Sequence, residues 1–441
     1  MLSIVKWKEN SKIRRRNIRK FVYILLLLSL LFLGGCWMFQ RDLRSSATVS
    51  KSSASDFSAM YKPSSSVVNP QVTAYISSDS EADVFFRIRT QELKNALANP
   101  LEKEINIYVK YYLRTASDFQ LADTASMRYT FDVSSGDYVY GRFKVALANK
   151  VAYKLVVDFV NVNYDIRKRL LCDLKNTPLF NDDKYIATAN SGDVLFGNVI
   201  PVGKSLVLTA GANCNKSVDI EFYSAKSYVS LPPYLSSPVK APNLPDSIFR
   251  YTFGDTLHID KAGLFALGTA SKNEKFGIVA TDNQSYPSVT KVADMLEPLK
   301  LICTDKEFAR IDSSENLKKS VDAFWLGLSK NEKNAKEQIR VFYSRVALAN
   351  MFFPSSIEGW QTDRGMIYIM LGPPSIVNIT PTSEEWVYGD ANGLLFTFEN
   401  ISGLRNDYSL LRSNTYQSVW SQVLTTWRSG KIFTVSKLNN E

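Results

Sequence analysis

The chain has 441 residues, of which 45% are hydrophobic and 22% charged, the ordinary balance of a globular protein with about two to four domains. Its formal net charge is +10, but residues 1–35 contribute +7 of it and leave only +3 for the remainder. Nucleic-acid binding needs Lys and Arg clustered on the folded part, so the composition argues against a nucleic-acid partner.

The N-terminus has the pattern of a targeting segment. A basic stretch precedes the uncharged apolar run Phe21–Leu33, and Gly34, Gly35 and Cys36 follow. This junction resembles the lipobox of bacterial lipoproteins, which implies a signal peptide over residues 1–35 and a diacylated Cys36, a lipid with enough chains for stable anchoring. The alternative is an uncleaved anchor, because residues 21–39 are uncharged and just long enough to span a bilayer.

Both alternatives place residues 40–441 outside the cytoplasm, in the cell envelope. Trp37 follows the cysteine, so the acidic signal that retains some lipoproteins in the inner membrane is missing. By resemblance we expect an outer-membrane lipoprotein that faces the periplasm, contacts the membrane through its lipid and has other envelope proteins as partners. Residues 36–70 are rich in Ser without apolar periodicity, which predicts a flexible tether.

Residues 71–178 have the alternation of a β-sandwich. Apolar side chains recur at every second position in four stretches, at 105–113, 127–133, 143–147 and 153–157. Helical spacing is confined to residues 90–98, which predict a short helix or a long loop. An antiparallel sandwich of the immunoglobulin-like kind, with one face of each sheet in water, fits this pattern.

Residues 179–290 predict a second β-sandwich-like module. Its candidate strands are 193–198, 205–210, 218–223, 248–253, 264–267 and 276–280. Prolines between positions 232 and 245 interrupt the module, and because proline donates no backbone hydrogen bond they predict a long loop. His258, the only histidine, alternates with Leu257 and Ile259 and is expected on the exposed face of a strand.

Few residues suggest metal, redox or cofactor chemistry. Cys172, Cys214 and Cys303 allow at most one disulfide, with three pairings, and buried thiols are the favoured interpretation. A single histidine excludes the usual His-based triads and multi-histidine zinc sites. Residues 181–183 predict a solvated turn rather than a calcium loop. Neither a P-loop nor a dinucleotide-binding glycine pattern is present, so no metal and no cofactor are predicted.

Residues 291–435 predict an α+β domain. Asp312 and Glu315 have the spacing of a capping box and precede a helix marked by Leu317, Val321, Phe324, Trp325 and Leu328. A second helix over 335–349 ends before Pro354, and a last one covers 416–427. Short strands are expected at 385–388 and 394–398, with Glu384 and Glu385 as edge charges.

One motif in this domain identifies a family. It combines an aromatic turn, an apolar run over Met366–Leu371 and a second turn, in the residues Gly359, Trp360, Thr362, Asp363, Arg364 and Gly365, then Gly372, Pro373 and Pro374. The motif resembles that of the GWxTD-domain family, lipoproteins and secreted proteins found mainly in Bacteroidetes. The resemblance implies an architecture and a location, and the family has no established activity to transfer.

The motif is interpreted first as structural. Asp363, Arg364 and Gly365 predict a tight turn, with glycine at positive φ. Trp360 is expected to pack on the Phe324/Trp325 helix, and Met366–Leu371 to form a strand covered on both faces. Gly372, Pro373 and Pro374 would end that strand, and Arg364 would pair with Asp363 or Glu358.

The alternative makes the motif a pocket rim, in which Glu358, Asp363 and Arg364 are weak catalytic or ligand-binding candidates. Glu358 and Asp363 could act as paired carboxylates, and Arg364 could bind an anion. The favoured function is a non-catalytic binding or scaffold component of an envelope assembly. The alternatives are a carboxylate-dependent hydrolase of peptide or glycan, and a carrier of a small or lipidic ligand.

Overall fold

The computed structural model describes residues 56–62, 68–97, 99, 101–161, 166–176, 183–212, 214–225, 228–236, 244–268, 276–329, 331–389, 393–400 and 407–434. The predicted signal peptide, Cys36 and most of the predicted tether lie outside these ranges. Within them, no helix combines the length and the apolar character needed to cross a membrane.

The first β part consists of two antiparallel sheets that share one core. One sheet contains β1 (Gln71–Ser78), β2 (Glu81–Arg89) and β5 (Tyr138–Ala146), with β2 in the centre. The other contains β3 (Glu104–Thr115), β4 (Leu121–Asp132), β6 (Ala152–Asn161) and β7 (Ile166–Lys175), in the order β4-β3-β6-β7. Helix α1 (Thr90–Ala96) follows β2. The four alternating stretches therefore form strands, as predicted. In the shared core, the ring centres of Phe86 in one sheet and Phe159 in the other lie 5.2 Å apart.

The second β part has its own hydrophobic core. A three-stranded antiparallel sheet contains β8 (Tyr185–Ala189), β10 (Ser205–Ala210) and β13 (Thr256–His258). A five-stranded sheet contains β9 (Val199–Pro201), β11 (Ser217–Ser224), β12 (Ser247–Thr252), β14 (Gly263–Leu267) and β15 (Gly277–Thr281), in the order β12-β11-β14-β15-β9. Its pairs are antiparallel except for β15 with β9.

Five of the six strands predicted in this part are confirmed, and the strand predicted at 193–198 is wrong. That stretch makes a single bridge, between Val194 and Thr188. Gly192 precedes the stretch and Gly197 is its fifth residue, and their φ angles of +88° and +92° turn the chain at these two points. His258 is exposed at the end of β13, as predicted, and its Nδ1 lies 2.8 Å from Ser205 Oγ.

The C-terminal domain is helical with one antiparallel sheet. Its helices are α2 (Val292–Leu296), α3 (Asp305–Asp312), α4 (Leu317–Ser329), α5 (Glu332–Phe352), α6 (Asp363–Leu371) and α7 (Gln417–Arg428). Its sheet contains β16 (Ile376–Ile379), β17 (Ser383–Tyr388), β18 (Leu394–Asn400) and β19 (Tyr408–Leu410), paired in chain order. Trp325, Trp386 and Trp427 are fully buried in the core between them.

The strand predicted at Met366–Leu371 is wrong, because this run forms most of α6. Thr362 caps the helix by accepting a hydrogen bond from Gly365 N at 3.0 Å. All of these apolar residues are buried, and a continuous apolar run fits a buried helix as well as a buried strand. The predicted turn over Asp363–Gly365 is accordingly the first turn of α6, and Gly372, with φ +91°, ends the helix rather than a strand.

The predicted capping box at Asp312 and Glu315 is also wrong. Asp312 is the last residue of α3, and the capping box lies at the start of that helix, between Thr304 and Glu307. Glu307 in addition accepts two hydrogen bonds of 2.9 Å from Arg428 of α7, which joins the two helices. The first turn of α4 is capped instead by Asn316, whose Oδ1 accepts from Lys319 N at 3.0 Å.

Residues 56–62, which we call the N-terminal clasp, pack into the C-terminal core instead of continuing the tether predicted for residues 36–70. Phe57 N donates to Val377 O of β16 at 3.0 Å. Tyr61 O accepts from the buried Tyr368 hydroxyl of α6 at 2.7 Å. The Phe57 and Tyr61 side chains are only 5% exposed, so the clasp is part of the hydrophobic core.

Candidate functional site

The two glycines that flank the motif bring three backbones into close contact. Gly359 starts a short 3-10 helix, Gly359–Gln361, between α5 and α6. A Cβ at Gly359 would lie 2.0 Å from Ala349 O of α5, and a Cβ at Gly365 would lie 2.0 Å from Gly359 O. Any side chain at either position would collide with a main-chain oxygen, so the close approach of the backbones requires glycine at both positions. The positive φ predicted for Gly365 is wrong.

Trp360 fastens the 3-10 helix to α5. Its main-chain N donates to Asn350 Oδ1 at 3.0 Å, and its indole Nε1 donates to Glu358 Oε2 at 2.9 Å. The side chain is 6% exposed and belongs to the same core cluster as the α4 residue Trp325. Trp325 has ring contacts with Phe342 and Tyr343 of α5. The 3-10 helix that carries Trp360 packs mainly on α5 and α6, not on α4 as predicted.

Asp363 joins α6 to two distant segments, the proline-rich loop and the stretch 410–412. One carboxylate oxygen accepts hydrogen bonds from Ser230 of the proline-rich loop and from Arg412, and the other accepts from Leu410 N of β19 at 2.8 Å. The Asp363 and Arg412 side chains are each about 10% exposed. The prediction that Asp363 pairs with Arg364 is therefore wrong, and Arg412 went unnoticed because nothing in its local sequence marks it.

Arg364 is buried in a polar cluster beneath the motif. Its guanidinium donates to Glu384 Oε2 of β17 at 2.8 Å, and both side chains are 3% exposed. The guanidinium also lies 4.2 Å from the ring centre of Tyr408 and 5.1 Å from that of Phe353. The predicted partners Asp363 and Glu358 are thus wrong for Arg364.

Glu384 was predicted as a charge on an exposed strand edge, and this prediction is wrong because its side chain is buried and accepts hydrogen bonds inside the domain. Besides Arg364, it accepts from the indole Nε1 of Trp386 at 2.7 Å. Burial, followed by the nearby Glu384 carboxylate, raises the pKa of the Tyr61 hydroxyl well above its ordinary value. The motif arginine, β17 and the clasp therefore share one buried network.

Glu358 has a different environment from Asp363. It accepts hydrogen bonds from Thr281 Oγ1 of β15 at 2.5 Å and from Trp360 Nε1. Burial raises the pKa of its carboxyl, and the carboxylates of Asp294 and Asp282 act in the same direction. Glu358 and Asp363 thus bind different groups, and they do not form the predicted carboxylate pair around a shared partner.

A second candidate site is a partly open cavity of about 270 Å³ where both β parts meet the C-terminal domain. Its walls combine apolar and polar surface. Its lining includes Met60 and Tyr61 of the clasp, Lys168 and Asp173 of β7, Phe196 and Asn198 before β9, and Phe352, Arg364, Glu384 and Tyr408 of the C-terminal domain. Asn198 Nδ2 donates to Ser355 O at 2.6 Å across this junction, so the walls are hydrogen-bonded to each other.

Lys168 was not among the predicted site residues, although its position in the sequence carries one signal. Lys168 is 5% exposed and interrupts an otherwise apolar alternation along β7 at Ile166, Leu170, Cys172 and Leu174. A lysine in such a series is rarely buried without a polar role. Its Nζ donates to the main-chain oxygens of Ala59 and Met60 in the clasp, each at 3.0 Å.

The three cysteines among the described residues form no disulfide with one another. Cys172 is buried, and Cys214 and Cys303 are half-buried. Burial raises the pKa of the Cys303 thiol to about 12, which suppresses its reactivity. Across the described ranges, no group of three or more His, Cys, Asp or Glu side chains could hold a metal ion.

A comparison with protein families matches the region that contains the motif. The family model of the GWxTD domain covers residues 263–429, which includes β14, β15 and nearly all of the C-terminal domain. No curated protein matches the chain.

Solved structures with local likeness include those of two glycoside hydrolases. A glycosyl hydrolase family 2 member from Bacteroides cellulosilyticus has 13% identity and a TM-score of 0.18, over 31% of this chain and 18% of its own. A β-glucuronidase 2 from Bacteroides uniformis has 8% identity and a TM-score of 0.18, over 30% of this chain and 16% of its own. The chain thus spans less than a fifth of the length of either protein. The match of the family model shows that this chain contains a GWxTD domain.

Proposed function

We propose that this protein is a lipid-anchored component of the cell envelope that acts by binding other proteins rather than by catalysis. Its lipid would be attached at Cys36, on the outer membrane and facing the periplasm, and its two β parts would be immunoglobulin-like β-sandwich modules. Support comes from the Gly34-Gly35-Cys36 junction and from the motif itself, whose ionisable side chains are engaged in internal hydrogen bonds.

The observation that carries the binding proposal is the edge strand β12. Among the described residues its strand neighbour is β11, on one side. Ile248 is 60% exposed and Phe249 is 37% exposed, and Leu244 just before the strand is 87% exposed. Edge strands are normally protected by charge, proline or a covering element, and exposed apolar edges are places where a further strand adds.

The charge on β12 does not protect it. Arg250 is paired with Asp219 of β11 at 2.8 Å, so the apolar side chains dominate the free edge. We therefore expect the partner to contribute an extended segment with apolar side chains on both of its faces, which would pair with the β12 main chain and cover Ile248 on one face of the sheet and Phe249 on the other.

Site-specific photo-crosslinking tests this proposal. A photoreactive amino acid at Ile248 should give one defined envelope adduct, and Phe249→Asp should abolish it. The control position is Leu326 of α4, which is 44% exposed but lies on a helix. Adducts of equal pattern from both positions, or an Ile248 adduct that survives Phe249→Asp, would refute strand addition at β12.

The anchor has its own test. Metabolic labelling with a fatty acid should label the wild-type protein, and Cys36→Ser should lose the label. Equal labelling of both proteins would refute lipidation at Cys36 and leave the binding proposal intact.

A carrier of a small or lipidic ligand is a second candidate function, and the cavity beside Lys168 is the observation that favours it. A carboxylate-dependent hydrolase of peptide or glycan has less support, because Glu358 is engaged by Thr281 and Trp360 whereas Asp363 is engaged by Leu410 and Arg412.

A further inference from the structure

Lys168 is a buried cation without a counter-ion. Within the described residues, no carboxylate lies at ion-pair distance from its Nζ, and its hydrogen-bond acceptors are the Ala59 and Met60 carbonyls. The other buried cations near the cavity are neutralised, Lys154 by Asp173 at 2.7 Å and Arg364 by Glu384 at 2.8 Å. Lys168 therefore differs from its neighbours in lacking a negative partner.

This arrangement is unfavourable in an empty site. An ammonium group has three N–H donors, and two of them are used by the clasp carbonyls. An isolated charge removed from water is strongly unfavourable unless an opposite charge compensates it. Burial accordingly lowers the pKa of Lys168 to about 8, with the Glu92 carboxylate opposing this effect.

The cavity that Lys168 lines has the size and the walls for a small amphipathic molecule. A cavity of about 150 Å³ is enough for benzene, so 270 Å³ accommodates about ten to twelve non-hydrogen atoms. Met60, Leu170, Ile186 and Phe352 supply apolar walls. The Phe352 ring also lies 5.7 Å from the Lys168 Nζ, so apolar surface reaches the ammonium group.

The remaining charges restrict the ligand to a single negative charge. Arg364 is occupied by Glu384, and the carboxylates of Asp173, Glu384 and Asp407 lie in the same lining. A dianion would place its second charge near these carboxylates, whereas an apolar tail would meet no such repulsion.

We propose that the cavity binds a small amphipathic monocarboxylate, with the carboxylate on Lys168 and the apolar part against the β7 and α5 walls. This inference rests on the carrier function and is independent of strand addition at β12. It assigns the ligand class, a medium-length aliphatic or small aromatic acid, from the single uncompensated cation and the volume of the cavity.

Calorimetric titration with octanoate and 1-octanol tests the proposal. The two probes have the same alkyl chain, but only octanoate is charged. At pH 7 octanoate should bind about tenfold more tightly than 1-octanol, the difference between a charge-assisted and a neutral hydrogen bond. Octanoate stays ionised at higher pH while Lys168 loses its proton above pH 8, so octanoate affinity should fall there and 1-octanol affinity should not.

Variants separate the charge of Lys168 from its structural contacts. Lys168→Met should bind both probes equally, and Lys168→Arg should keep the preference for octanoate. The matched control is Lys144→Met, because Lys144 is a 60% exposed lysine on β5 and should change nothing. If Lys168→Met does not fold, the probe ratio and its pH dependence in the wild-type protein decide.

The outcomes distinguish this inference from the carrier function. Binding of both probes with equal affinity in the wild type would refute selection by Lys168 and leave the carrier function standing. Binding of neither probe would refute both. A preference for octanoate that persists in folded Lys168→Met would also overturn the proposal.

Discussion

Replacing Arg364 by Met should destabilise the C-terminal domain more than any exposed ion-pair substitution. The change keeps a side chain of similar length but removes the guanidinium that lies 2.8 Å from Glu384. Glu384 is 2% exposed, so water cannot solvate its carboxylate once the guanidinium is removed. Its other hydrogen-bond donors, the Trp386 indole and the Tyr61 hydroxyl, are neutral.

The magnitude follows from burial. Removing one partner of a buried ion pair costs about 3–5 kcal/mol, because it leaves an uncompensated charge in a medium of low dielectric constant. Loss of the cation over the Tyr408 and Phe353 rings adds about 0.5–2 kcal/mol. We expect Arg364→Met to lower the free energy of unfolding by about 5 kcal/mol, and Arg364→Met with Glu384→Gln to recover at least half of that loss.

Urea unfolding followed by tryptophan fluorescence measures this effect in the domain concerned, since five of the seven tryptophans lie between residues 325 and 427. The control is Lys318→Met. Its pair with Asp322 is 2.6 Å long but 72% and 47% exposed, so it should change stability by less than about 1 kcal/mol. A loss for Arg364→Met as small as that for Lys318→Met would refute the argument from burial.

Three further substitutions or reagents test separate features. Gly365→Ala should destabilise by about 3 kcal/mol in thermal or urea unfolding because its Cβ would lie 2.0 Å from a main-chain oxygen, whereas Gly327→Ala in α4, where the Cβ meets nothing within 4 Å, should stabilise by up to about 1 kcal/mol. Glu307→Gln should cost about 1–2 kcal/mol at pH 7, a figure reduced for its partial exposure. Hydrogen bonds from Arg428 lower the pKa of Glu307 to about 2, so this contribution is full above its ordinary value near 4.5 and is lost as pH falls towards 2 in acid-unfolding curves. Cys303 should react with a thiol reagent far more slowly in the folded protein than in urea, as measured by peptide mass spectrometry.

Each of these predictions can fail clearly. Equal effects of alanine at positions 365 and 327 would mean that the close approach at the motif can relax. A Glu307→Gln difference that stays constant from pH 7 to pH 2 would show that Glu307 stabilises through something other than its charge. Equal rates for Cys303 in folded and unfolded protein would contradict its burial.

Local periodicity was sufficient for most of the fold. Ile105, Ile107 and Val109 alternate with polar residues because one face of β3 is buried, and the same rule found β4, β5 and β6, whereas β1, β2 and β7 were not predicted. The strand prediction for Met366–Leu371 was wrong because a run that is buried on all sides shows neither the helical nor the strand period of apolar residues. Short strands such as β9 and β13, of three residues each, fall below what a pattern can detect.

The partners of the motif could not be predicted, because they come from distant segments. Asp363 was expected beside Arg364, but it binds Arg412 and Leu410, and Arg364 binds Glu384 instead. The burial of Glu384 is decided by the clasp and α6 rather than by its neighbours on β17. Pairings of this kind are set by tertiary packing, on which a single sequence gives no direct information.

The N-terminal clasp makes the GWxTD domain discontinuous in sequence. Residues 56–62 precede both β parts in the chain, yet they complete a core whose other buried members, apart from Val156 of β6, lie between Leu296 and Phe433. During synthesis the clasp must wait until the last domain has emerged, so the β parts can fold first and the C-terminal core closes last. A recombinant fragment cut at residues 263–429 would lack Phe57 and Tyr61 and expose the floor of the core they cover, so the smallest self-sufficient unit of this domain includes both ends of the folded chain.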